Sequence, residues 1–173
     1  KQWPILDADL YAHEALRAES QISEKVLLRY GNKIINSSRK NDQIINRKAL
    51  AKIVFQNHAE KEWLEETIHP FVNKRIEEEL EKLKSNSVVI LIIPLLFEKN
   101  YTYLCSEICY IDCPRNMQIK RLQSRDKFNL EEANQRIDAQ WKSTFKKQFA
   151  DHIITNSNND ETWKMQLKKL YNF

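Results

Sequence analysis

Ser87 to Ile93 reads SVVILII, seven residues in which β-branched and apolar side chains follow one another without alternation, and Pro94 closes the run. A strand with one wet face alternates apolar and polar residues. A continuous run of this length predicts a strand covered on both faces, as in a parallel sheet. Three other segments share its character: Trp3 to Asp7 (WPILD) upstream, and Glu107 to Asp112 (EICYID) and Ala150 to Asn156 (ADHIITN) downstream. Segments of helical period separate all four. Strands joined in this way need crossover connections, so the chain is expected to be a doubly wound α/β protein.

The helical segments carry their own punctuation. One is expected from Ala8 to Ala18. A second, Ser23 to Tyr30, stops at Gly31, a residue suited to ending helices. Asn36 to Gln43 (NSSRKNDQ) is polar and aperiodic and predicts a surface loop. Asn46 is placed to cap a helix over Arg47 to Phe55. His58 to Lys84 repeats apolar residues at three- and four-residue steps, with a break or kink expected at His69-Pro70. Another helix is expected from Pro114 to Arg125. Asn129 and Glu132 form a capping-box signature for Leu130 to Gln140, and Glu161 to Tyr171 closes the chain. The helical insert from about Ser20 to Lys84 exceeds what a simple crossover needs, and is expected to form a substrate-covering subdomain.

Composition narrows the class. The 173 residues are 42% hydrophobic and 30% charged, which suits one globular domain rather than a disordered chain. The longest apolar stretch, Val88 to Phe97, is too short to span a bilayer, and no leader-like segment opens the chain, so a cytoplasmic protein is expected. A net charge of +4, spread along the chain, fits phosphate ligands or an ordinary solvated surface. Three cysteines, Cys105, Cys109 and Cys113, argue against a disulfide framework, and their spacing does not match the usual zinc pairs. They read as small core residues.

In open α/β sheets, ligands gather beyond the carboxyl ends of the strands. Asp7 and Asp9, Pro94 to Glu98 (PLLFE), Asp112 and Asn156 all fall there. Of the two early aspartates, one can face a cleft while the other caps the helix that follows. Arg121 and Arg125 lie four apart on one helical face, near Arg136. They suit a clamp on phosphate oxygens, or equally a solvated face paired with Asp126 and Glu131. His69 fits a hydrogen-bonded core position as well as a functional one. No Ser-His-Asp or Cys-His arrangement stands out, and no metal ligand set is expected.

These pieces together resemble the dephospho-CoA kinases. Pro4 to Leu10 (PILDADL), Ile45 to Leu50 (INRKAL), Trp63-Leu64, Ile68-His69-Pro70, Pro94 to Glu98, Gln118 to Asp126 (QIKRLQSRD), Asn129 to Gln140, and Lys146 to Asn156 (KKQFADHIITN) follow the family's order over nearly the whole chain. The resemblance implies a P-loop kinase core at about 1–19 and 87–173, a helical CoA-binding subdomain at about 20–86 and a small helical lid at about 115–145. It implies transfer of the γ-phosphoryl of ATP, with Mg2+, to the ribose 3′-hydroxyl of dephospho-CoA, in the last step of coenzyme A biosynthesis. Carried over, Asp9 is the catalytic carboxylate. Arg121, Arg125 and Arg136 contact ATP, and Asn156 lies on its adenine side. Arg47, His69, Pro94, Leu95, Phe97 and Glu98 fall in regions associated with the CoA substrate.

One departure stands out. The family begins with a strand and a glycine-rich Walker A loop whose lysine and hydroxyl hold phosphates and Mg2+. This chain has one glycine, where about twelve are usual. A strand and phosphate loop are therefore expected within about two dozen residues before Lys1, and the 173 residues alone are expected to show no kinase activity. Three other functions compete: another nucleotide kinase of the same core, a non-catalytic CoA- or nucleotide-binding module, and a nucleic-acid-binding helical protein. The last has no basic stripe behind it, so small-molecule partners are expected, without nucleic acid or membrane.

Overall fold

Among the described residues, four strands form two parallel ladders, β-strands of the same compact unit pairing with each other. A computed structural model describes residues 3–18, 20–35, 45–157 and 161–171. The loop expected at Asn36 to Gln43 lies outside them. The described residues divide between two compact units, Gln2–Pro94 and Leu95–Phe173. This is a division by packing, whereas the boundaries expected from the resemblance are a division by role.

In the first unit, β1 (Ile5–Asp7) pairs in parallel with β2 (Ile90–Ile92), Ile5 opposite Ile90 and Asp7 opposite Ile92. Helices α1 (Ala8–Ala15), α2 (Gln21–Tyr30), α3 (Arg47–Gln56) and α4 (His58–Lys82) complete it. Each begins on a side-chain cap: Asp7, Ser20, Asn46 and Asn57 accept bonds from backbone amides of the first turn. Gly31 ends α2 with φ at 54°, a left-handed value that suits the residue without a Cβ, and a single 3-10 turn, Gly31–Ile34, follows. The core of the unit is built from Leu6, Ala15, Val26, Ile34, Leu50, Val72 and Ile76.

Two expectations fail here. Helix α4 is continuous through Pro70, with no break at His69-Pro70. Val72 and Ile76 on its buried side hold the helix in place although proline cannot donate its backbone bond. The SVVILII strand is also shorter and less covered than expected. Only Ile90–Ile92 join a ladder, and Ile92 is 44% exposed. Among the described residues β2 is paired on one edge only, which leaves less of it to bury.

In the second unit, β3 (Cys109–Asp112) pairs in parallel with β4 (His152–Thr155), Asp112 opposite Thr155. Helix α5 (Arg115–Asp126) starts after Pro114, and α6 (Leu130–Asp138) starts on the expected capping box, with Asn129 and Glu132 each bonded to the other's backbone. A short helix that the sequence reading missed, α7 (Ser143–Gln148), precedes β4, and α8 (Thr162–Tyr171) ends the described chain. The three cysteines are half-buried rather than core residues. Burial pushes the Cys105 and Cys109 thiols up.

Candidate active site

In the first unit the two early aspartates divide the work that either could have done. Asp7 caps α1, its Oδ1 accepting the Asp9 amide at 2.9 Å. Asp9 sits in the first turn of α1, exposed, and among the described residues its carboxylate takes part in no hydrogen bond or ion pair. Helix α1 is anchored to α4 by Arg75, whose Nε lies 3.5 Å from Glu14 Oε1. The same guanidinium stands 5.4 Å from the centroid of the Tyr11 ring and donates to Glu79 at 3.1 Å. Arg47, the first residue of α3, donates to the carbonyl of His13 in the last turn of α1 at 3.3 Å. His69 is half-buried on α4, next to the buried Ile68. Pro94 is exposed just after β2.

In the second unit the arginines separate into two environments. Arg121 donates to Asn156 Oδ1 at 3.0 Å and lies 3.4 Å from Cys113 Sγ, so it ties α5 to the ends of both strands. Asn156 is itself fixed, its amide donating to the Asp112 carbonyl at 2.8 Å. Arg125 lies at the exposed end of α5, bonded by two nitrogens to Asp126. Those bonds, chiefly, hold Asp126 below the ordinary carboxylate range against a small effect of burial, and the charge of Arg136 adds to the pull. Arg125 and Arg136 therefore flank one carboxylate. The partner expected on the solvated-face reading, Asp126, is present, and a phosphate would compete with it.

The PLLFE segment turns inward at its end. Leu95 is half-buried and Phe97 is 7% exposed, with its ring centroid 6.4 Å from Trp141 and 6.1 Å from Phe149. Glu98 Oε1 accepts from Lys146 Nζ at 2.7 Å and from the Trp141 amide at 2.9 Å. Burial alone would raise its carboxyl, but these partners outweigh that and hold it below the usual range. Asp112 is treated likewise: burial opposes, while Lys147 at 2.6 Å and the Ser143 hydroxyl at 2.9 Å pull it lower.

Comparison with known proteins settles the family. A family model described as dephospho-CoA kinase matches residues 1–161. The chain belongs to the dephospho-CoA kinase family. It is 82% identical, over all of its 173 residues, to a dephospho-CoA kinase of Prochlorococcus marinus (strain NATL2A), of which it covers 81%. Among solved structures it resembles TT1252 of Thermus thermophilus, with a TM-score of 0.75 and 28% identity over 98% of this chain and 84% of that one. It also resembles the dephospho-CoA kinase of Campylobacter jejuni, with a TM-score of 0.69 and 32% identity over the same shares. Membership of the dephospho-CoA kinase family makes this an ATP-dependent kinase of coenzyme A biosynthesis. The parallel α/β architecture expected from the sequence agrees with these neighbours.

Sequence reading missed Ser143, Lys146 and Lys147, which serve the two carboxylates. A lysine pair in a polar segment looks like solvated surface, yet Lys146 is 4% exposed. The one available signal was Glu98 itself, an acidic residue ending an apolar motif.

Proposed function

We propose that the protein transfers the γ-phosphoryl group of ATP to the ribose 3′-hydroxyl of dephospho-CoA, with Asp9 as the base. The observation that carries this reading is the unpartnered carboxylate of Asp9 beyond β1, while Asp7 takes up the helix cap. A base must reach its proton without first breaking a bond of its own. Asp9 accepts the hydroxyl proton as the ribose oxygen forms its bond to the γ-phosphorus. The bond from that phosphorus to the β,γ-bridging oxygen breaks, and ADP departs with the electron pair.

Arg121, Arg125 and Arg136 neutralise the phosphate oxygens, and Asn156 borders the adenine side. Arg47, His69, Pro94, Leu95 and Phe97 belong with the acceptor, the side to which the resemblance also assigned Glu98. Mg2+ accompanies ATP in such transfers and spreads the developing charge. Among the described residues no three His, Cys, Asp or Glu side chains gather at one point, so none is assigned to the metal. The reading places the reaction in the cytoplasm; among the described residues no helix is long and apolar enough to cross a membrane.

The test is Asp9→Asn in the full-length protein. Turnover is expected to fall by about 10²- to 10⁴-fold, the usual contribution of general-base catalysis, with ATP binding little changed. Near-normal turnover would move the base elsewhere.

A further inference from the structure

Helices α5 and α6 carry all three arginines of the ATP reading, yet only Ala133 of the two helices is buried. With one fully buried residue, the pair depends on polar contacts as well as on its half-buried apolar side chains for its position. Gln118 and Arg121 tie α5 to the strand ends, whereas α6 is held by contacts at its exit. Arg115 holds Asp138, the last residue of α6, at 2.6 Å. The next residues enter a ring of bonds: Glu98 Oε1 takes Lys146 and the Trp141 amide, and Lys146 Nζ also donates to Gln140 Oε1 at 3.0 Å. The side chains of Glu98 and Lys146 are 10% and 6% exposed.

We infer that Glu98 is a positioning residue for the nucleotide-binding arginines. By clamping residues 140–146 it fixes the end of α6, and through it the place of Arg136 and the helix pair. The inference rests on the kinase reading above. It moves Glu98 from the acceptor side, where the resemblance put it, to the donor side. The carboxylate is in poor condition to meet a substrate. Oε1 is committed twice, and Oε2 is buried with no partner among the described residues. That idle oxygen yields a sharp expectation: Glu98→Gln can keep the Trp141 bond through its amide oxygen and loses only the charge facing Lys146. Glu98→Ala loses both.

The experiment measures KM for ATP and for dephospho-CoA, with kcat, in full-length Glu98→Ala and Glu98→Gln proteins. For Glu98→Ala we expect KM for ATP to rise about tenfold or more, the scale of a displaced binding group, with KM for dephospho-CoA within about twofold of the parent. Glu98→Gln should recover most of the loss. Should Glu98→Ala not fold, the double variant Glu98→Gln/Lys146→Met replaces the buried pair by neutral groups of similar size and reads the same split. A shift in KM for dephospho-CoA alone would overturn the inference in favour of an acceptor contact. Unchanged KM values in variants that merely melt earlier would overturn it in favour of a structural role. In both cases the kinase reading survives, because the parent still turns over. A full-length parent that fails to phosphorylate dephospho-CoA would remove both.

Discussion

Arg121 and Arg125 lie four residues apart on one helix and look equivalent in the sequence, yet their bonds differ. Arg121 holds Asn156, which is itself bonded to β3, whereas Arg125 is 77% exposed and, among the described residues, bonds to its neighbour Asp126. Arg121→Ala is therefore expected to cost about 1 kcal/mol of stability, the net value of a part-buried hydrogen bond. Arg125→Ala should cost less than about half of that, as exposed ion pairs do. Both should raise KM for ATP more than KM for dephospho-CoA. Denaturant midpoints and steady-state kinetics check the two halves separately, and a larger effect of Arg125→Ala on dephospho-CoA would place it at the acceptor. The sequence made both aspartates at the end of β1 visible but could not apportion them. Capping depends on which side chain can turn back to an amide, a matter of local geometry that spacing leaves open.

At the scale of elements, the helix starts were legible where a side chain must accept from the backbone. Asn46 and the Asn129–Glu132 box are found where their residue types called for them. Asn57 was not singled out, although it caps the longest helix through the amides of Ala59 and Glu60. Asn57→Ala should cost about 1 kcal/mol, read from thermal or urea unfolding, while Asn57→Asp should cost almost nothing. Pro70 shows the opposite lesson. A proline in a helical pattern announces a break, but tertiary packing overrode it and α4 runs on. Pro70→Ala should consequently raise stability by about 1 kcal/mol or more, since it returns a missing backbone donor at an exposed position. A lower unfolding midpoint for this variant would mean that the proline shape itself is needed. Helix α7 escaped notice because six residues are too few to show a period.

For the molecule as a whole, stability should fall on both sides of neutral pH, for separate reasons. Glu98, Asp112 and Asp126 are held below the ordinary carboxylate range in the fold. Each therefore stabilises the protein above its unfolded value near pH 4, and that contribution fades as pH falls through the lower folded value. On the alkaline side Tyr30 is the most strongly shifted of several raised groups, among them Tyr11, Tyr171 and Cys109. Burial first, and then the bond to Glu60, push the Tyr30 phenol up to about 12. The neutral form is the one the fold favours, so its contribution is complete below about pH 10 and is lost as pH rises towards 12. Tyr30→Phe should flatten that alkaline limb in a series of thermal melts. The two parallel ladders have a separate consequence. Ile5, Ile92, Ile111 and Ile153, one from each strand, are between 44% and 59% exposed, in ladders that among the described residues have two strands each. Greasy, half-dressed ribbons of this kind invite the ribbons of other copies to dock alongside. The practical ceiling for these 173 residues is accordingly colloidal: turbidity should grow with protein concentration, and with added salt as it masks the modest net charge of +4, at temperatures where the helices are still intact.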